Sequence, residues 1–91
     1  VDDGDRAEAS FYRTGAGAEV DLVLSWGDGR EWAIEVKRSL APKVGRGFRS
    51  ALEDLRPDRS FVVYAGEERF PLGPGVEAIG LAALCAELAE S

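Results

Sequence analysis

Apolar and polar residues alternate along two runs of the chain, EVDLVLSW from Glu19 and REWAIEVK ending at Lys37, separated by Gly27-Asp28-Gly29. Alternation at period two predicts strands. On the first, Val20, Leu22, Leu24 and Trp26 share one side, and Glu19, Asp21, Val23 and Ser25 the other. On the second, Trp32, Ile34 and Val36 oppose Glu31, Ala33, Glu35 and Lys37. One face is therefore expected to enter a core, while the other gathers Glu19, Asp21, Glu35 and Lys37.

The turn fixes how the two strands meet. A three-residue loop, Gly27 to Gly29, closes with a glycine in the left-handed region. Facing positions then sum to 56, so that Leu24 meets Trp32, Leu22 meets Ile34 and Val20 meets Val36. Asp21 falls opposite Glu35 and Glu19 opposite Lys37. A two-residue Asp-Gly turn would slip the register by one and mix the faces. The longer loop is preferred for that reason.

The same reading extends along the chain. Residues 1–10 form a flexible acidic lead-in. A first strand spans Ala9–Thr14 and reaches the next through Gly15-Ala16-Gly17, leaving Arg13 directed to the polar face or to solvent. After a loop around Pro42, Phe48, Ala51, Leu52 and Leu55 recur at helical spacing, with Arg46, Arg49, Glu53 and Arg56 outside. Pro57 ends that helix. Ser60–Ala65 is a near-continuous apolar run, the pattern of a buried and often parallel strand. Glu67–Gly75 reads as turns, Val76–Ile79 as a short strand, and Gly80–Ala89 as a closing helix with Leu81, Leu84, Cys85 and Leu88 inward.

Composition narrows the chemistry. The chain has 91 residues, 31% of them charged and 45% hydrophobic, which suits one soluble domain of residues 11–89. No run approaches a membrane span, and a cytoplasmic location is expected. The missing initiator methionine suggests a piece of something longer. With no histidine and one cysteine, histidine-dependent triads, zinc hydrolases and cysteine-based zinc sites are excluded. Acid–base or metal work must fall to carboxylates, lysine and tyrosine.

The net charge of −6 argues against nonspecific binding of nucleic acid over the whole surface. Yet Val36–Leu52 contains no acidic residue and five of the eleven basic ones, Lys37, Arg38, Lys43, Arg46 and Arg49. A phosphate backbone would fit there; so would a plain solvated face. Opposed carboxylates repel by about 0.2–1 kcal/mol, more if buried. A hard divalent cation would offset this, with the Val36 carbonyl as a third oxygen. Cross-strand pairing such as Glu19–Lys37 on a solvated sheet is the alternative.

The order of Asp21 on one strand, then Glu35-Val36-Lys37 on the next, then helix and buried strand resembles the PD-(D/E)xK nuclease superfamily. More closely, YRTGAGAEVDLVL, WAIEVKRS and FVVY with the closing V-x-x-I-x-L-x-x-L segment are similar to the C-terminal DUF4143 region of a prokaryotic AAA-type ATPase family. The resemblance covers Phe11 to Leu88. It implies an α/β fold, a restriction-endonuclease-like mixed sheet of four to five strands with an antiparallel hairpin, a crossover helix and a C-terminal helix. It also implies Mg²⁺ or Mn²⁺ on Asp21, Glu35 and the Val36 carbonyl, with Lys37 polarising water and stabilising charge on a DNA phosphate. Arg38, Lys43, Arg46 and Arg49 would contact DNA. Glu19, preferentially as the partner of Lys37, and Arg13 would support the site.

Two features depart from that pattern: no helix is expected ahead of the first strand, and no GxxxxGK[ST] loop is present. The ATPase domain would lie upstream in a full-length chain. An inactive nuclease-like module binding DNA or protein, or a dimerisation domain, are the alternative functions.

Overall fold

The computed structural model describes residues 7–91. It is a mixed α/β domain, a six-stranded sheet with two helices. In chain order come β1 (Ala7–Arg13), β2 (Glu19–Trp26), β3 (Glu31–Val36), α1 (Arg46–Leu55), β4 (Arg59–Val63), β5 (Phe70–Gly73), β6 (Val76–Ile79) and α2 (Leu81–Glu90). The strand order is β1-β2-β3-β4-β6-β5. β4 runs parallel to β3 and to β6, and the remaining pairings are antiparallel. Connection of β3 through α1 to a parallel β4 is the expected crossover.

The hairpin has the anticipated register, pairing Leu22 with Ile34, Val23 with Ala33 and Leu24 with Trp32. Trp26 N–H donates to the Arg30 carbonyl at 2.9 Å, and Gly29 closes the loop at φ 95°. The ladder ends at Leu22–Ile34, however. Val20 and Val36 do not zip together: Val20 is buried, whereas Val36 is 56% exposed.

A bulge explains the difference. Ser10 pairs with Val23 and Tyr12 with Val20, so two steps along β1 match three along β2. The extra residue lies at Asp21-Leu22. It reverses the alternation, and Val20 joins Val23 on one side of the sheet instead of Leu22 and Leu24 on the other.

Both faces of the sheet are cores, which corrects the expectation of one apolar face. Phe48 and Ala51 of α1 pack with Val20, Val23, Ala33, Val62 and Val76. Leu84 of α2 packs with Leu24, Trp26, Trp32, Ile34, Phe61, Val63 and Ile79. Trp32 lies between Trp26 and Phe61, with ring centroids at 4.9 and 5.4 Å. Burial on both faces is usual where a sheet contains parallel strands flanked by helices.

Three further expectations change. Phe70–Gly73, read as turns, is the edge strand β5, where Pro71 is tolerated because one side of an edge strand needs no N–H donor. β1 begins at Ala7 and ends at Arg13, so only residues 1–6 of the proposed lead-in remain, outside the described residues. Cys85 is exposed, not core, since α2 turns Leu84, Leu88 and Ala83 toward the sheet. No helix among the described residues is long and apolar enough to cross a membrane.

Candidate functional site

The end of the hairpin ladder, where β2 and β3 part, is where the acidic residues meet. Asp21 sits at the bulge, Glu35 is the penultimate residue of β3, and Lys37 follows the strand. The Asp21 carboxylate accepts the Val36 N–H at 3.0 Å, occupying a donor that the register would otherwise give to Val20. This contact was not legible in the sequence, because alternation alone gives no sign of a bulge.

Glu35 is buried, only 8% exposed, and the Asp21 carboxyl lies close enough to perturb it. Its pKa is pushed up from 4.5 to about 7, first by burial, then by the hydrogen bond with Asp21 and by that carboxylate's charge. The Lys37 ammonium, 3.8 Å from Glu35 Oε2, pulls in the opposite direction, while Glu19 adds a weaker upward push. Asp21, Glu35 and Lys37 are thus brought together. Charge on Glu35 is disfavoured unless a cation joins the pair.

Glu19 is placed differently from expectation. It pairs with Arg13 at 3.2 Å, not with Lys37, and this settles the direction of Arg13. Both partners are well exposed, so the pair contributes little stability. Lys37 instead belongs to Glu35 through side chains and to β4 through its backbone N–H, which donates to the Val63 carbonyl at 2.8 Å.

The donor set suits a hard cation through two carboxylates, since Mg²⁺ is commonly held by one or two carboxylates with water and substrate phosphate. Among the described residues no three Asp, Glu, Cys or His side chains converge. Glu19 therefore does not complete a third carboxylate in this arrangement.

Arg38, Lys43, Arg46 and Arg49 are all exposed, and none forms an ion pair among the described residues. The first turn of α1 lies directly against the loop leading into β2. A Cβ at Gly47 would sit 2.8 Å from the Gly17 carbonyl oxygen. Glycine there lets the basic start of α1 approach Glu19 closely.

A separate groove is lined by Arg59, Phe61, Arg69, Phe70 and Glu77. Its arginines are already engaged, Arg69 with Glu77 at 2.6 Å and Arg59 with Glu87. None of the candidate residues lines it.

An uncharacterized protein of Mycobacterium bovis and another of Mycobacterium tuberculosis are each 44% identical to the chain over 69 residues. The match takes in 76% of this chain but 15% of either relative, so the domain spans only a small part of their length. No solved structure matches. Residues 2–84 match the DUF4143 family, described as a domain of unknown function, and the chain belongs to that family.

Proposed function

We propose that the chain is a PD-(D/E)xK-like nuclease domain, set within a AAA-type ATPase, that hydrolyses DNA phosphodiesters with Mg²⁺ or Mn²⁺. The observation that supports this best is the buried Glu35 carboxyl beside Asp21, with the Lys37 ammonium 3.8 Å away. Like charges are held together here at a cost in stability, as is common where a side chain serves chemistry. When bound, a divalent cation would supply Lewis acidity toward a phosphoryl oxygen and make water a better nucleophile. Asp21 and Glu35 would hold it, with the Val36 carbonyl as a third oxygen. Lys37 places positive charge where the phosphate gains negative charge in the transition state. The exposed bases from Arg38 to Arg49 hold the backbone of the substrate. The greater length of the mycobacterial relatives leaves room for an ATPase domain.

A second reading, a module that binds nucleic acid or protein without cutting, is favoured by the Arg13–Glu19 pair and by the absence of a third converging carboxylate among the described residues. Cleavage of plasmid and branched DNA with Mn²⁺ or Mg²⁺ separates the two. The nuclease reading expects cleavage that Asp21→Asn and Glu35→Gln abolish. Absence of both cleavage and carboxylate-dependent metal binding in the native protein refutes it.

A further inference from the structure

The basic surface is small and bounded. Arg46 and Arg49 are one helical turn apart, about 4.5 Å along α1. Glu53 and Asp54 occupy the next turn and are exposed. On the other side, the Ala65 N–H donates to the Ser39 carbonyl at 3.2 Å, and the exposed Glu67 and Glu68 follow closely. Exposed acidic residues thus follow α1's basic turn and the segment bonded to Ser39. A single strand can follow the basic strip alone.

Apolar side chains are interleaved with that strip. Val36 is 56% and Leu40 75% exposed, on either side of Lys37-Arg38-Ser39. Stacked base pairs conceal their faces, whereas unpaired bases present them. Surfaces that bind single strands combine cations for the backbone with nonpolar contacts for those faces.

Building on the proposed phosphate-binding role of this surface, we infer that its substrate class is single-stranded nucleic acid, or the unpaired end of a duplex, held by Arg38, Lys43, Arg46 and Arg49 with Leu40 against the bases. These four cations, which form no ion pair among the described residues, limit the phosphate contacts to about four, so log K should fall with log salt at a slope no steeper than about −3. Aliphatic contacts give little base selectivity.

The test is fluorescence anisotropy with a labelled oligothymidylate of about eight nucleotides, within the usual site size, and a blunt duplex of the same length, both in EDTA. The expected result is at least about threefold tighter binding of the single strand, with the shallow slope above. Arg46→Ala with Arg49→Ala should weaken both ligands, and Leu40→Ala the single strand alone. Preference for the duplex, a slope steeper than about −5, or no binding of either ligand overturns the inference. Mn²⁺-dependent cleavage is scored separately. Its absence, together with absence of carboxylate-dependent Mn²⁺ binding, refutes the nuclease reading, and intact single-strand binding then leaves this inference standing.

Discussion

Replacing Glu35 with glutamine removes a carboxyl that the fold keeps largely protonated up to about pH 7. Because the folded pKa lies above the ordinary value of 4.5, the native state binds the proton more tightly than the unfolded chain does. The stabilisation this brings is complete below about pH 4.5 and is lost as pH rises toward and through 7. The displacement corresponds to at most about 3.5 kcal/mol. Screening by solvent on the open side reduces it to roughly 1–2 kcal/mol. Glutamine does not titrate, and its amide offers Asp21 a donor as the protonated acid does. In EDTA, Glu35→Gln should therefore match the native protein near pH 4.5 and exceed it by roughly 1–2 kcal/mol at pH 8. For a domain of this size that is a rise in Tm of about 4–16 °C. Circular dichroism melts at both pH values provide the comparison, and the difference between proteins cancels the other carboxylates. A stability difference that is the same at both pH values would refute the reasoning, as it would show that Glu35 ionises freely.

Three other outcomes follow from the same geometry. Mn²⁺ at about 100 times its Kd should stabilise the native protein by about 2.7 kcal/mol at pH 8, read as a Tm increase absent in Glu35→Gln. Lys37→Met should lower kcat of DNA cleavage about 10²–10³-fold, with Mn²⁺ binding by calorimetry retained. Gly47→Ala should lower stability by about 1–3 kcal/mol in urea melts, because its Cβ meets a backbone carbonyl that cannot rotate away. Gly15→Ala, which meets nothing within 4 Å, should change it by less than about 0.5 kcal/mol.

The local rules carried the sequence reading far. Gly29 set the loop, the loop set the Leu24–Trp32 register, and the spacing of Phe48, Ala51, Leu52 and Leu55 gave the faces of α1. Where two elements had to be weighed against each other, the reading faltered. Val23 and Ala33 alternate with acidic residues, so their shared face looked solvated until α1 was placed over it. Pro71 and the surrounding glycines masked β5, whose pairing with β6 is a tertiary fact. Cys85 lies among alanines and leucines, and an α2 apolar on most sides does not reveal which face the sheet takes. At the site, the turn-derived register places Asp21, Glu35 and Lys37 near one another, but Asp21 lies beyond the last paired rung and approaches Glu35 from the bulge. Glu19 was misassigned because the bulge turned it toward Arg13.

The bond from the Val36 amide to Asp21 means that the acid and regular strand pairing compete for a single proton donor. An alanine at this position would remove that acceptor and, with it, the charge that pushes the Glu35 carboxyl toward its neutral form. Decay of the acidic pair in a descendant would then be downhill for the fold. Retaining it goes against the grain of the sheet.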